Sequence, residues 1–403
     1  MSPRPRATSP SPSSDAPETD APTHPAAGAQ VGSRTDAPTD HPTGATKPAP
    51  RHAGSTVAAP EPGRAMPRPT RDLLALRGMG TAELKELLAR SRAMIPAAMG
   101  RTDLSHILKG RAVGLLFFED STRTRLSFTM AAQRLGATTL DLASGGSSVS
   151  KGETLIDTAL NVEAIGAAAL VVRAKQSGAA HQIAQPAKIP VLNGGDGKHE
   201  HPTQALLDAL TIAESLGRSA AFDLTGLSIA IVGDVISSRV ARSNIAALSA
   251  LGAQVIVVGP LTLAPKSMST LGCKVEHDLD NVLPTVDAVM MLRVQFERHG
   301  GEGGGGGAHG AGAGAHGAAT VKPPITPSSI VSVRAYREGY ALTSARAAML
   351  KPHAVVLHPG PINRGIEMDQ DVADGPRSAV LRQVTHGVAV RMASLCWCLG
   401  IPA

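Results

Sequence analysis

Residues 112–128 read AVGLLFFEDSTRTRLSF, and this stretch decides the fold of the region around it. The apolar run at 112–118 has the length and composition of a buried β-strand. Ser121 and Thr122 follow at the point where a helix would begin, and hydroxyl side chains at a helix start cap its free N–H groups. The stretch therefore predicts a strand that turns through a polar loop into a helix.

The same loop carries the residues of an anion site. The free N–H groups and the dipole of a helix start attract phosphate, and a guanidinium group adds charge-assisted hydrogen bonds. A well-capped helix with surface arginines is the alternative interpretation. Because Arg123 and Arg125 stand on either side of a third hydroxyl, Thr124, we favour a site for a phosphate or phosphoryl group.

Length and composition limit the class of protein. The chain has 403 residues, of which 42% are hydrophobic, so it is long enough for two domains with sizeable cores. Aromatic residues make up only 2%, which argues against binding of single-stranded nucleic acid on aromatic platforms. A net charge of +6 without long runs of like charge favours small anionic substrates, and no nucleic-acid partner is expected.

The cysteine content indicates a reducing compartment. Cys273, Cys396 and Cys398 provide no disulfide framework, and the last two are too close in sequence to form a zinc knuckle by themselves. No apolar stretch reaches the length of a membrane span. We therefore expect a cytoplasmic protein that has no membrane partner.

The first 68 residues differ in composition from the rest of the chain. They are rich in Pro, Ala, Ser and Thr and have no periodic apolar face, so we expect a disordered tail. The tail lacks the apolar core of a secretory signal. Acidic residues such as Asp15 and Glu18 also argue against an organelle transit peptide.

From Thr81 onward, apolar runs alternate with helical segments, beginning with a helix at 81–99 that has Thr81 as its N-cap. Such alternation indicates parallel sheets with helices on both faces. We predict an α/β protein with two doubly wound parallel-sheet domains and an interdomain cleft. The predicted parts are a first domain at 69–217, a second domain at 218–374, and a helical segment at 375–403 that returns to the first domain.

The apolar runs and the helical periodicity give the predicted elements. The predicted strands lie at 112–118, 138–142, 168–172, 190–192, 227–232, 254–258, 288–291 and 355–357. The predicted helices between the early strands lie at 124–135, 153–165, 178–185 and 203–216, and a last helix lies at about 375–399.

Residues 299–319 interrupt the second domain with a glycine-rich segment. Glycine at this density indicates a flexible coil. Three histidines in or beside the segment, His299, His309 and His316, raise the alternative of a metal-binding tract. Their spacing on a flexible coil gives little preorganisation, so we expect no metal site there.

Cationic side chains lie where predicted strands end, and open parallel sheets bind ligands at that edge. Arg173 directly follows a strand, Arg293 lies at the end of another, and Arg239 begins a helix after the strand at 227–232. The turn His358-Pro359-Gly360-Pro361 follows the last strand, and its prolines stiffen it so that backbone carbonyls can face the cleft. Gly233 also follows a strand, but the Gly-x-Gly-x-x-Gly pattern of a dinucleotide site is absent.

His201 and Gln204 stand three residues apart at a helix start, so both can face the same cleft. The alternative is a metal site that combines His199, Glu200 and His201. His199 and His201 lack the helical spacing of metal ligands, and no cluster of thiols or carboxylates completes a coordination shell. We therefore expect no metal and favour a role for His201 and Gln204 in binding a substrate.

Lys151 lies in a loop of small residues that precedes a helix. Small residues permit movement, and a mobile lysine can reach an anion. By itself the pattern is more typical of a solvated loop lysine. The cationic groups together with the phosphate loop favour group transfer driven by positioning and electrostatics.

Several motifs in order resemble the aspartate/ornithine carbamoyltransferase family. FEDSTRTR at 118–125 and HPTQ at 201–204 are similar to its general motifs. SVSKGET at 148–154, RVQ at 293–295 and HPGP at 358–361 resemble those of its aspartate-specific catalytic chains. The resemblance implies transfer of the carbamoyl group of carbamoyl phosphate to L-aspartate, an early step of pyrimidine synthesis, without a cofactor.

The resemblance also implies the residues of the carbamoyl phosphate site, which lies mainly in the first domain. They would be Ser121, Thr122, Arg123, Thr124, Arg173, His201, Gln204, Gly360 and Pro361. The catalytic residues among them would be Arg123, Thr124, Arg173 and His201. Gln204 and the carbonyls of Gly360 and Pro361 would orient the carbamoyl amide.

The implied aspartate site lies mainly in the second domain. The residues that would hold L-aspartate are Lys151, Arg239, Arg293 and Gln295. In the family Lys151 comes from the adjacent subunit of a trimer, together with Ser147 or Ser148. The glycine-rich segment at 299–319 lies where the family has a loop that closes over aspartate, and ordering it would cost entropy.

Two rival functions remain at this stage. An ornithine carbamoyltransferase would bind a substrate with a cationic side chain, which Arg293 would repel. A non-catalytic assembly chain would not need the full set of cationic residues. The resemblance leaves open whether regulatory chains or a dihydroorotase chain bind the trimer.

Overall fold

The structure is a computed structural model, and it describes residues 71–143, 153–294 and 332–402. The predicted tail at 1–68 and the glycine-rich segment at 299–319 lie outside the described residues. None of the described helices combines the length and hydropathy needed to cross a membrane.

Two parallel sheets form the framework of the described chain. The first contains β1 (Ala112–Phe117), β2 (Thr138–Ala143), β3 (Ala167–Ala174) and β4 (Val191–Asp196), in the order β2-β1-β3-β4. The second contains β5 (Ser228–Val232), β6 (Gln254–Val258), β7 (Lys274–Glu276), β8 (Ala288–Met291) and β9 (Val355–Leu357), in the order β7-β6-β5-β8-β9.

Helices connect the strands, as parallel pairing requires. In chain order the described α-helices are α1 (Thr81–Ala93), α2 (Ile95–Ala98), α3 (Thr122–Arg134), α4 (Leu155–Ala164), α5 (Ala179–Ala184), α6 (Pro202–Ser215), α7 (Arg239–Ala250), α8 (Leu279–Val282), α9 (Val333–Tyr340), α10 (Ser344–Met349), α11 (Gln370–Ala373) and α12 (Val380–Cys398). The predicted α/β fold with two parallel sheets is confirmed.

The sheets are buried on both faces by aliphatic side chains. Every residue of β4, β8 and β9 is buried, as expected for strands covered by helices on both sides. The cores contain Leu, Val, Ile and Ala with few aromatics, in agreement with the composition. Each sheet therefore has a rigid edge from which polar loops can project.

The helix α12 returns to the first sheet's side of the molecule. It follows all strands of the second sheet in sequence, yet it packs against α1, α3 and α6. Most of its residues are buried, including Gln383 and Arg391. The predicted return of the last helix is confirmed, whereas the numbered domain boundaries stay a prediction.

The start of the described chain differs from the expectation. Gly80, not Thr81, is the N-cap of α1, and the Thr81 hydroxyl donates to the Ala250 carbonyl at 3.2 Å. The predicted single helix is divided into α1 and α2, with Pro96 in the first turn of α2. Proline lacks the N–H that would continue a helix, which explains the division.

Candidate active site

The site lies where the strand order of each sheet reverses. In the first sheet the chain leaves β1 and β3 at neighbouring carboxyl ends, and in the second it leaves β5 and β8 in the same way. Such switch points form crevices that bind ligands. A cleft with a volume of about 720 Å³ lies between the loops that follow these four strands.

The cleft brings together every predicted site residue that the structure describes. These residues are Ser121, Thr122, Arg123, Thr124, Arg173, His201, Gln204, Arg239, Arg293, Gly360 and Pro361. Four further predicted residues lie outside the described residues, namely Ser147, Ser148, Lys151 and Gln295.

The first turn of α3 forms one wall. Ser121 occupies the N-cap position with extended backbone, but within the described ranges its side chain makes no capping hydrogen bond. The predicted capping by this hydroxyl is therefore wrong, and the first turn keeps N–H groups that can bind an anion. Thr124 is buried in the same wall.

Only one of the two arginines of the loop lines the cleft. Arg125 points elsewhere and pairs with Asp141, with 3.3 Å between Nε and Oδ2. Arg123 lies against the 358–361 turn, where Gly360 has a φ of +69° and a Cβ would stand 3.2 Å from the Arg123 Nε. Burial, and then the positive charge of Arg293, lower the pKa of Arg123. Two positive charges that act on each other in one cleft favour an anion between them.

A carboxylate joins the two sides of the cleft. The carboxylate of Glu119, which follows β1, accepts hydrogen bonds from Nη1 and Nη2 of Arg239 at 2.9 and 3.1 Å. The Arg173 Nε lies 3.9 Å from the same carboxylate, and Arg173 donates to the Gly194 carbonyl at 3.0 Å. Glu119 therefore fixes Arg173, which lies in β3 of the first sheet, and Arg239, which begins the helix after β5 of the second sheet.

Gly195 makes this arrangement possible. Its φ is +114°, and a Cβ at this position would lie 2.8 Å from Arg173 Nη1 and 3.2 Å from Arg239 Nε. A side chain there would force both guanidinium groups to move. Glycine is therefore required by backbone conformation and by the close approach of two cationic groups.

His201 is held as a neutral imidazole. It is the N-cap residue of α6 and is buried, and its backbone N–H donates to Ser243 Oγ at 2.9 Å. Burial, followed by the positive charges of Arg173, Arg391 and Arg239, lowers the pKa of His201 well below its usual value. Its Nδ1 has no hydrogen-bond partner among the described residues. A neutral imidazole carries one N–H group, which can donate a hydrogen bond to a substrate oxygen while the ring stays neutral.

His358 orders the turn on the opposite wall. The Gly360 N–H donates to its Nδ1 at 2.8 Å, so the proton of the neutral ring resides on Nε2. Burial, and then Arg123 and Arg293, lower the pKa of His358 to about 3. The hydrogen bond from Gly360 therefore fixes the tautomer of the His358 ring and holds the turn where it lines the cleft.

Gln204 is oriented by a carboxylate that the sequence analysis missed. Its Nε2 donates to Asp208 Oδ1 at 2.9 Å, and burial raises the pKa of Asp208 to about 6. The signal available in the sequence was an acid four residues after Gln204, flanked on both sides by Leu and Ala residues. Arg391 and Gln383 of α12 also line the cleft, and nothing in their local sequence pointed to it.

The histidines around residue 200 do not share a metal site. The Glu200 carboxylate accepts from the backbone N–H groups of Leu76 and Arg77, while His201 faces the cleft. His199 instead contacts Asp196 at 3.1 Å and His181, and these three groups are close enough to hold an ion. The Asp196 oxygens already accept N–H groups from Gly178, Asn193 and Glu200, which identifies Asp196 as an anchor of the loop.

The charge of the cleft is predominantly positive. Guanidinium groups reach it from both sheets, and the acidic residues in its lining are Glu119, Asp120 and Asp234. A helix start, a neutral imidazole donor and an oriented amide occupy one end. The arrangement can bind a phosphorylated compound at that end and a second anionic compound beside Arg239 and Arg293.

Comparison with known proteins adds the family. The model described as "Aspartate/ornithine carbamoyltransferase, carbamoyl-P binding domain" matches residues 71–214. The model described as "Aspartate/ornithine carbamoyltransferase, Asp/Orn binding domain" matches residues 327–398. The aspartate carbamoyltransferase catalytic subunit of Myxococcus xanthus is 49% identical over 325 residues, covering 81% of this chain and 98% of that protein.

Solved structures show the same fold. Aspartate transcarbamoylase from Trypanosoma cruzi, in complex with carbamoyl phosphate and aspartate, has a TM-score of 0.67 and 28% identity, covering 85% of this chain and 98% of that one. Ornithine carbamoyltransferase from Pyrococcus furiosus also has a TM-score of 0.67, with 25% identity, and covers 83% and 98%. Fold similarity thus does not separate the two specificities, whereas the 49% sequence identity does. By sequence and fold, the chain belongs to the aspartate/ornithine carbamoyltransferase family, within its aspartate carbamoyltransferase catalytic chains.

Proposed function

We propose that the chain transfers the carbamoyl group of carbamoyl phosphate to the amino group of L-aspartate. The products are N-carbamoyl-L-aspartate and phosphate, and the reaction belongs to de novo pyrimidine biosynthesis. The observation that carries the proposal is the convergence in one cleft of the α3 start with the arginines of both sheets. The Myxococcus relative, by its sequence identity, and the Trypanosoma complex, by its fold, support the choice of substrates.

Carbamoyl phosphate binds at the end of the cleft formed by the first sheet. The N–H groups at the start of α3 and the Arg123 guanidinium hold the phosphate. Thr124, Arg173 and neutral His201 donate hydrogen bonds to the carbamoyl oxygen. Each well-placed donor of this kind contributes on the order of a hundredfold or more to the rate, because it acts on the charge of the tetrahedral intermediate.

L-aspartate binds at the other end, beside the loops of the second sheet. Arg239 and Arg293 hold its two carboxylates, together with Gln295. Arg239 is already held in place by Glu119 and by the Gly197 carbonyl, so it binds the ligand with little loss of side-chain freedom. Arg293 would repel the cationic side chain of ornithine, which favours aspartate as the acceptor.

The reaction proceeds by attack of the neutral aspartate amine on the carbamoyl carbon. A C–N bond forms, the carbonyl oxygen gains negative charge, and the C–O bond to phosphate then breaks. The phosphate leaves with the electron pair and takes a proton from the amine, so no separate protein base is needed. Positioning of the two substrates supplies roughly 7–11 kcal/mol of the barrier reduction available to such reactions.

The oligomer in this proposal is a homotrimer in the cytoplasm. Lys151, with Ser147 or Ser148, completes the site of the adjacent subunit. Exposed apolar side chains on α3 and α12 support contact with another chain, and they are Leu126, Met130, Leu381 and Val384. The three cysteines are buried free thiols, which suits a reducing cytoplasm. Regulatory or dihydroorotase chains are further partners that this trimer could bind.

The function is tested with a colorimetric assay for the ureido product. We expect product with carbamoyl phosphate and aspartate, and at most a trace when ornithine replaces aspartate. Product with ornithine alone would identify an ornithine carbamoyltransferase. Absence of product with either amino acid would identify a non-catalytic assembly chain.

The shared site is tested by mixing two inactive variants. Arg123→Ala and Lys151→Ala each damage a different half of the site, so subunits exchanged between them would form some intact sites. Activity should return after the mixture is dissociated and reassembled. Each variant reassembled alone is the control, and a mixture as inactive as the controls would contradict the placement of Lys151 in a neighbouring subunit.

A further inference from the structure

We propose that Asp208 is a positioning residue that makes the cleft select a carbamoyl group over other acyl groups. It acts by determining which end of the Gln204 amide faces the substrate. The inference rests on the proposed role of Gln204 at the carbamoyl group. Asp208 itself is fully buried and is not among the residues that line the cleft.

Three amide side chains donate to this single carboxylate. Gln204 Nε2 and Gln383 Nε2 reach Oδ1 at 2.9 and 2.7 Å, and Asn244 Nδ2 reaches Oδ2 at 2.8 Å. The donors come from α6, α12 and α7, so the carboxylate joins helices from both sides of the molecule. A carboxylate accepts hydrogen bonds and does not donate them, so each amide must turn its nitrogen toward Asp208.

The consequence for Gln204 is a fixed polarity, by which we mean which end of the amide, nitrogen or oxygen, faces the cleft. With Nε2 committed to Asp208, Oε1 is the end of the amide left for the cleft that Gln204 lines. A carbonyl oxygen accepts an N–H of the carbamoyl group. An acetyl group presents a methyl group at the same place and would leave that oxygen without a partner, which disfavours its binding.

The second glutamine extends the same polarity to the opposite wall. Gln383 turns its nitrogen to Asp208, and its Oε1 accepts the backbone N–H of His358 at 3.0 Å. His358 begins the turn whose Gly360 and Pro361 carbonyls face the carbamoyl amide in the proposed site. Asp208 therefore aligns acceptors on both sides of the carbamoyl nitrogen through two amides of the same orientation.

The third amide suggests a matched pair of variants. Asn244 Oδ1 has no hydrogen-bond partner among the described residues. In Asp208→Asn the new side-chain oxygen can still face both glutamines, so their orientation is preserved. The new N–H₂ group then faces Asn244, whose amide must turn over to accept through Oδ1 and lose its hydrogen bond to the Val240 carbonyl at 3.0 Å. Asp208→Leu has a similar size but offers no acceptor, so Gln204 and Gln383 lose the group that orients them.

The experiment measures donor preference in the assembled enzyme. Preference is defined as the inhibition constant of acetyl phosphate, acting as a competitor, divided by the KM for carbamoyl phosphate. We expect Asp208→Leu to reduce this ratio on the order of tenfold, the effect of losing one oriented hydrogen bond. Asp208→Asn should keep most of it. The inhibition constant of inorganic phosphate should stay unchanged in both variants, because phosphate binds at α3 and Arg123, whereas general structural damage would raise it.

Gln204→Ala separates the two levels of the argument. If this variant keeps the wild-type preference, the proposed role of Gln204 fails, and the inference about Asp208 fails with it. If Gln204→Ala loses preference and folded Asp208→Leu retains it, the inference alone is overturned. Equal loss in Asp208→Asn and Asp208→Leu would also overturn the orientation argument. If Asp208→Leu does not fold, Asp208→Ala replaces it, since its methyl group offers no acceptor either.

Discussion

The helices α3 and α7 begin in corresponding places but treat their first turns differently. Each follows a strand at a switch point, β1 or β5, and each has an arginine in its first turn, Arg123 or Arg239. Ser238 caps α7 by accepting the Ala241 N–H at 3.1 Å, whereas Ser121 makes no such bond within the described chain. The comparison teaches that in α7 the protein's own serine satisfies an N–H group of the first turn, while in α3 the N–H groups of the first turn stay open to a ligand.

The largest expected effect comes from removing the two arginines separately. Arg123→Ala should lower kcat by about a hundredfold to a thousandfold, because it removes a donor to the phosphate and the developing charge. Arg239→Ala should mainly raise the KM for aspartate. Steady-state kinetics with each substrate varied, and with inorganic phosphate as inhibitor, would measure this. Near-normal turnover in Arg123→Ala would break the comparison.

Two glycine variants test whether the close packing of Arg173 and Arg239 around Gly195 matters for activity. Gly195 and Gly166 have nearly equal φ values, +114° and +113°, so alanine brings similar backbone strain at both. Only at Gly195 would the new Cβ meet Arg173 and Arg239, since no described atom lies within 4 Å at Gly166. We expect Gly195→Ala to lower kcat/KM about tenfold or more beyond Gly166→Ala. Equal kinetics in the two variants would show that the crowding is irrelevant.

The buried titratable groups near the cleft predict how stability depends on pH, and one of them, His201, begins a third helix, α6. His201 and His358 have a lower pKa in the folded than in the unfolded protein, so the unfolded state binds protons first as the pH falls below 6.5. Asp208 acts in the opposite direction between about pH 6 and 3.8, since its pKa is raised in the folded state. These two histidines and one carboxylate together give a net loss of up to about 1.4 kcal/mol per pH unit. Burial also lowers the pKa of His386, which adds to the loss, whereas burial raises the pKa of Asp72 and Glu367, which opposes it at the acidic end of the range.

Urea unfolding at a series of pH values between about 7 and 5 would measure this loss. Asp208→Asn should steepen it, because the variant removes the group that gains stability as the pH falls. A free energy of unfolding that rises on acidification in the wild-type protein would contradict the assignment of neutral histidines.

The smallest expected effect compares the two serines directly. Ser238→Ala should cost about 1 kcal/mol of the free energy of unfolding, because it removes the cap of α7. Ser121→Ala should change stability less, and should instead raise the KM for carbamoyl phosphate. Equilibrium unfolding and steady-state kinetics on both variants would show this crossed pattern. An equal loss of stability in both would mean that Ser121 caps α3 after all.

The sequence was a good guide where a property depends on neighbouring residues. The strands β6, β8 and β9 have the predicted bounds, because continuous apolar runs between polar residues define them. The site residues at strand ends were accessible for the same reason, since a parallel sheet carries its ligand groups at one edge. The three-residue edge strand β7 is too short to produce a pattern and was missed.

Properties that depend on distant partners could not be predicted from the sequence. Glu119 and Arg239 are 120 residues apart, and neither local sequence predicts their ion pair. Arg125 shares a motif with Arg123 but pairs with Asp141 on a neighbouring strand, which the motif does not reveal. Asp208 is understood only when α12 supplies Gln383, 175 residues later.

The placement of α12 has a consequence for biogenesis. This helix packs on α1, α3 and α6, which precede the second sheet in the chain, but it is translated after all nine described strands. The first sheet must therefore wait for most of the polypeptide to emerge before its outer layer is complete, although N-terminal regions generally fold first during synthesis. A nascent chain arrested before α12 lacks Gln383 and Arg391, so catalysis begins only once translation has passed this helix.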